Sequence, residues 1–153
     1  MKVDISTFLA CSPEEVERHA RRPGLFAYVA APMVRFTPIG GAPLPETWEE
    51  GTYLISVRMF GVIPFGRQAI VVTFPAVTEG FSLRDNGYSG LIKEWDHLIT
   101  VEPYGTGTLY RDQVEIGAGV FTPFVWAFSQ VFFRHRQRRW RKLVASGFDY
   151  DAA

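Results

Sequence analysis

Cysteine is nearly missing from this chain: Cys11 is the single one among 153 residues. That excludes a disulfide within the chain and a cysteine-based zinc site, and it fits a reducing compartment or a chain indifferent to redox state. Cys11 itself reads as a small apolar residue at the end of a strand. Net charge is missing too. Sixteen basic and sixteen acidic side chains cancel, so no overall field draws polyanions and nucleic acid is not expected as a partner. Long apolar runs are absent: the greasiest stretch, Val120 to Phe133, is too short to span a bilayer and is interrupted by Thr122, Pro123, Ser129 and Gln130. Met1 to Phe8 alternate apolar and polar residues without a charged segment leading into an apolar one, so no secretory leader is expected and the chain is expected in the cytoplasm. His19 and His135 fall on separate predicted helices, with no His-x-x-x-His or His-Glu spacing on one element, so neither a metal nor another cofactor is expected. The Gly105-x-Gly107 and Gly117-x-Gly119 pairs lack the strand, glycine loop and helix of a phosphate cradle, and no Gly-x-Ser-x-Gly elbow occurs.

What is present is an ordinary globular balance, 47% hydrophobic and 21% charged, in a chain long enough to bury about 68–70% of its unfolded surface around one core. Aromatics are plentiful. Thirteen Phe, six Tyr and four Trp can fill a core, line an apolar pocket or cover a partner surface.

Alternation of Val3, Ile5, Thr7 and Leu9 predicts a first strand over Lys2 to Ala10. Ser12, Pro13 and Glu15 then supply an N-cap, a proline at the first helical position and a capping-box glutamate, predicting a helix from Pro13 to about Arg21. A second helical piece, Gly24 to Val29, ends before Pro32, and a short strand follows at Met33 to Thr37. After a proline- and glycine-rich loop, Tyr53 to Met59 and Gln68 to Phe74 alternate around a turn placed at Val62 to Gly66. Phe81 to Asp85 and Ile92 to Val101 flank Asn86-Gly87, read as a tight turn, and Tyr104 to Gly107 turns the chain into Thr108 to Ile116.

Thr122-Pro123 starts the last helix, with Thr122 as N-cap, and Gly147 ends it. Phe121, Phe124, Val125, Phe128, Val131 and Phe132 give its first half a wide apolar face, expected to be buried on more than one side. The second half, His135 to Lys142, is basic, with Trp140, Leu143 and Val144 as anchors. A nucleic-acid or membrane surface would use such a run, but cations in the last turns also complement the helix dipole and keep the helix solvated. Trp126 and Phe133 fall outside the apolar stripe, so self-association through this helix or a sheet edge, as a homodimer, is expected to cover them. An interaction domain acting through surface aromatics is the matching functional reading.

One strand, two short helices, about six antiparallel strands and a long helix make an α+β fold in which a sheet of about seven strands curves around the C-terminal helix. The domain spans residues 1–146, with residues 147–153 as a short tail. This order, with Trp95-Asp96-His97-Leu98-Ile99-Thr100-Val101 followed by Thr108 to Ile116, resembles the START-like helix-grip (SRPBCC) superfamily, and in that strand pair its polyketide cyclase/dehydrase-like branch. The basic end of the last helix, Phe133 to Trp140, is similar to bacterial members of unassigned function. The resemblance implies an apolar cavity between sheet and helix that holds lipids, polyketides or hormones, and it carries no general catalytic set.

Period-two counting puts Trp95, His97 and Ile99 on one strand face, and Tyr110, Asp112 and Val114 on the matching face of the next. If the register sets His97 across from Asp112, the carboxylate orients the imidazole and raises its pKa, making an acid/base or ligand-anchoring pair; otherwise the two serve structure alone. The expected pocket adds Tyr53, Ile55, Val57, Ile70, Val72 and Phe74. Binding of an apolar or amphipathic small molecule is the leading reading. A cyclase or dehydratase-like enzyme, with His97 and Asp112 moving protons and Tyr53 or Tyr110 polarising a carbonyl, is the alternative.

Overall fold

The computed structural model describes residues 1–152. Its elements run β1 (Lys2–Leu9), α1 (Pro13–Ala20), α2 (Pro23–Ala30), β2 (Val34–Pro38), β3 (Gly51–Met59), β4 (Ile63–Thr73), β5 (Phe81–Ser89), β6 (Glu94–Tyr104), β7 (Gly107–Gly117), a single 3₁₀ turn at Gly119–Phe121, and α3 (Thr122–Ala145). The seven strands form one antiparallel sheet in the order β1-β7-β6-β5-β4-β3-β2. From β2 to β7 each strand pairs with the next in sequence, while β1 closes onto β7 and leaves β1 and β2 as the edges. The sheet curves and packs against α3, with α1 and α2 between β1 and β2 in sequence, as the element order predicts.

Local chemistry sets most boundaries. Ser12 Oγ accepts the Glu15 N–H at 3.3 Å and caps α1, but only half the capping box forms, because the Glu15 carboxylate turns to Arg18 instead. Gly147, at φ +71°, ends α3 in a Schellman arrangement: the Phe148 N–H reaches Leu143 O at 2.8 Å and the Gly147 N–H reaches Val144 O at 3.0 Å. The chain then folds back. Phe148 stacks on the His19 ring at 4.0 Å, and the Tyr150 hydroxyl lies 2.7 Å from His19 Nδ1, so the tail packs onto α1.

Three sequence expectations fail for identifiable reasons. Asn86-Gly87 is not a turn; it lies inside β5, and the chain reverses after Ser89. Gly87 is required there because a Cβ would stand 2.1 Å from the Ala69 carbonyl oxygen of β4. The β3–β4 turn is Phe60-Gly61-Val62, not Val62 to Gly66, with Phe60 at φ 52° and Gly61 at φ 74°. Val57 pairs with Gly66 and Arg58 with Pro64, leaving Phe65 unopposed in a bulge. Thr122 is the first residue of α3 and not its N-cap; its Oγ accepts the Ala118 N–H and donates to Gly119 O, tying the 3₁₀ turn to the helix.

Burial along α3 is the reverse of the sequence expectation. No residue between Thr122 and Phe128 is buried and Phe124 is 74% exposed, whereas Ser129, Phe132, Phe133, Arg136, Gln137, Trp140 and Leu143 are all buried. Phe133, expected to need a partner to cover it, is 0% exposed within its own fold, and burying a ring that fully contributes about 2–3 kcal/mol. Trp126 is half-buried, its Nε1–H donating to Lys2 O at 2.8 Å. The two aromatics that motivated self-association are therefore used within the chain. The basic run is used internally as well: His135 Nε2–H donates to Ala31 O, Arg139 Nε to Tyr28 O and Arg141 to the Thr7 hydroxyl. No helix among the described residues is long and apolar enough to cross a membrane.

Candidate functional site

The first half of α3 stays uncovered because it spans an opening. Between it and the concave side of β2 to β6 lies a cavity of about 280 Å³. The strands contribute Val34, Phe36, Ile55, Val57, Met59, Ile70 and Trp95 to its wall; α2 contributes Phe26; α3 contributes Val125, Phe128 and Phe132. Exposed Phe65, Leu91, Phe121 and Phe124 ring the mouth. Phe65 reaches the rim through the bulge in β4, which re-aims one side chain without moving the strand.

Polarity gathers at the deep end, where buried Asp85, His97, Ser129 and Arg136 join the wall. Phe26, Ile70, Asp85, His97 and Arg136 also border a smaller recess of about 30 Å³ beneath, closed by Leu25, Trp48, Val72, Leu83, Ile99 and Tyr110. The polar groups thus form a partition between the two spaces.

His97 and Asp112 do meet, but not across the ladder. Val114 stands opposite His97 and Ile99 opposite Asp112, so the pair is diagonal, with His97 Nε2 2.8 Å from Asp112 Oδ1. Gln137 of α3 donates to Asp112 Oδ2 at 2.9 Å, and the Tyr110 hydroxyl approaches Oδ1 at 3.4 Å. Burial raises the Asp112 carboxyl, but the His97 hydrogen bond, the Arg136 charge and the Gln137 amide together hold it below its ordinary value, so it is ionised. His97 goes down, not up. Burial disfavours the imidazolium more than Asp112 favours it, and Arg136 adds to the effect. The ring is neutral, with Nε2–H donating to the carboxylate and Nδ1 carrying the lone pair.

Asp85 behaves oppositely. It accepts the Val71 N–H at 2.9 Å where the β4–β5 ladder opens between Ala69 and Val72. Burial pushes its carboxyl up to about 7, against the pull of that N–H and of Arg136. Arg136 itself is 3% exposed, lies near the faces of Phe26, Phe132 and Phe133, and has no hydrogen-bond partner for Nε. None of the ion pairs among the described residues includes it.

Of the residues expected in the pocket, Ile55, Val57, Ile70, Trp95 and His97 line the cavity, while Val72, Ile99 and Tyr110 line the recess below. The others lie elsewhere. Tyr53 turns away, its hydroxyl donating to Glu49 O at 2.8 Å. Phe74 sits under the Arg21 guanidinium, while Asp112 and Val114 are wholly buried behind His97. Sequence reading missed Asp85, Ser129, Arg136 and Gln137. Period two from Phe81 through Leu83 reaches Asp85, and helical spacing from Phe132 and Phe133 reaches Arg136 and Gln137. Among the described residues no three His, Cys, Asp or Glu side chains converge on a metal position.

Solved structures share this architecture across nearly the whole chain. Protein TTHA0849 of Thermus thermophilus is 14% identical with a TM-score of 0.68, over 97% of this chain and all of that one (100%). Protein CV1439 of Chromobacterium violaceum is 15% identical with a TM-score of 0.67, over 94% and 96% of the two chains. A START superfamily protein of Mycobacterium smegmatis is 12% identical with a TM-score of 0.63, over 95% and 97%. At such identities the likeness concerns the fold alone, which is the general START-like helix-grip fold. No curated protein matches the sequence. Residues 9–144 match the family called Domain of unknown function (DUF8410), and the chain belongs to that family.

Proposed function

We propose that this chain binds an apolar or amphipathic small molecule in the cavity between its sheet and α3. The observation that carries the proposal is the cavity itself: about 280 Å³, walled by aliphatic and aromatic side chains, ringed by exposed phenylalanines and open beside the half of α3 that has no buried residue before Ser129. Apolar walls with a few convergent polar groups are the ordinary make-up of a small-molecule site, and this volume lies just under the usual range of ~300–1,000 Å³. It suits one chain or one ring system better than a two-chain lipid. Native mass spectrometry of freshly purified protein, followed by solvent extraction, is the test, with Nile red as a neutral apolar probe. A retained small molecule or saturable Nile red uptake supports binding. Absence of both sinks it.

A cyclase or dehydratase-like enzyme is the second reading, and one observation favours it. His97, oriented by Asp112, shares the cavity wall with Asp85, whose carboxyl lies near neutrality and supplies the second acid/base group. Neither Tyr53 nor Tyr110 lines the main cavity, so the proton traffic falls to His97 and Asp85. Loss of turnover in His97→Ala with ligand binding retained would establish it once a substrate is extracted.

A further inference from the structure

We propose that the cavity selects a monocarboxylate, an apolar chain or ring system ending in one carboxylate, and that Arg136 is the residue that anchors it. This rests on the binding function above and adds the chemistry of the head group. Arg136 is the observation that requires explanation. A guanidinium offers five N–H donors in a planar fork, and burying one without partners is costly. Here the side chain is 3% exposed, its Nε has no hydrogen-bond partner, and its head borders both the cavity and the recess. The rings of Phe26, Phe132 and Phe133, at 5.0–5.8 Å, hold the cation in place but accept no N–H in its plane.

The neighbouring carboxylates do not fill that role. Asp112 is occupied by His97, Gln137 and Tyr110, and Asp85 by the Val71 N–H. Neither forms an ion pair with Arg136. The unmet donors therefore belong to something that enters. Arg136 already favours the ionised Asp112 through space, so little further negative charge is tolerated, and a dianionic phosphate would leave a net charge in an apolar chamber. A carboxylate matches the fork in plane and in charge. Ser129 is buried in the same wall about two helical turns before Arg136. The apolar body then runs along Val125 and Phe128 to the phenylalanine rim. A second negative charge near Asp85 drives that carboxyl further toward its protonated form, so the head group does not have to displace it.

Decanoate and decanol test this, because they share one chain and differ in the charged head. Calorimetric titration of the whole protein at neutral pH is expected to show decanoate bound about tenfold or more tightly than decanol. In Arg136→Met decanoate affinity is expected to fall until the preference is about twofold or less. Circular dichroism checks folding of that variant, and Arg136→Lys, which keeps the charge without the fork, is expected to hold an intermediate preference. If the wild type binds acid and alcohol alike, or Arg136→Met keeps the preference, the anchor is overturned while the apolar cavity stands. If neither ligand binds and Nile red is not taken up, the binding function fails and the anchor with it.

Discussion

His97 and Asp112 meet diagonally: the carboxylate belongs to the residue paired with Ile99, yet its Oδ1 lies 2.8 Å from Nε2 of an imidazole two positions along the neighbouring strand. Both are buried, and the contact holds β6, β7 and, through Gln137, α3 at one point.

Removing that carboxylate leaves donors from His97, Gln137 and Tyr110 without an acceptor. Asp112→Ala is expected to cost about 3–5 kcal/mol, whereas Asp112→Asn, which keeps one acceptor oxygen, costs less. Urea unfolding gives the comparison, and a loss below about 1 kcal/mol in Asp112→Ala would show the network to be dispensable.

Asp85 gives stability a distinctive pH dependence. Its carboxyl rises from 3.8 to about 7 on folding. Between those values the folded state holds a proton that the unfolded state has lost, so its contribution to stability falls as pH rises through that window. Asp85→Asn removes the slope. The difference in unfolding free energy between wild type and variant is expected to move in the variant's favour by a few kcal/mol from the acid to the neutral end. A pH-independent difference would refute the assignment.

Arg136 is expected to cost the empty protein stability. Its burial without an ion pair outweighs three ring contacts at 5.0–5.8 Å, so Arg136→Met raises the melting temperature of ligand-free protein by roughly 2–4 °C, about 1 kcal/mol for a chain of this size. A lower melting temperature would make Arg136 a structural residue.

Phe124 is 74% exposed, so Phe124→Ser is expected to leave stability within about 0.5 kcal/mol. Fluorescence titration with Nile red reads its other effect, a weakening of about fivefold from the loss of roughly 1 kcal/mol of apolar contact. Unchanged uptake would place the entrance elsewhere.

The fold was legible because most of its signals are local. Alternation marks the strands, Gly105-Thr106 turns β6 into β7, and Ser12, Pro13 and Gly147 bound helices through their own backbone needs. What escaped was set by distant groups. The need for Gly87 comes from a carbonyl eighteen residues earlier, at Ala69, and nothing beside Asn86-Gly87 distinguishes that need from a turn. The cavity face could be counted, and it put His97 and Asp112 on one side. Their diagonal register could not, and the fall in the His97 pKa follows from a burial that only the packed protein has. In α3 the charges of the basic run concealed that helical spacing carries positions 136 and 137 into the interior. Reading polarity as exposure hid Arg136, which belongs to the polar partition, and Gln137, which holds Asp112.

The uneven anchoring of α3 makes it a cantilever. Beyond Ser129 the helix is clamped by its own buried face and by bonds from Gln137, Arg139 and Arg141 to Ile5, Tyr28 and Thr7. Before it, the beam overhangs the cavity and rests on Trp126 at the β1 edge and on the Thr122 staple. A load on the overhanging end is therefore borne by two tethers, whereas the clamped end is tied to β1 and α2 at several points.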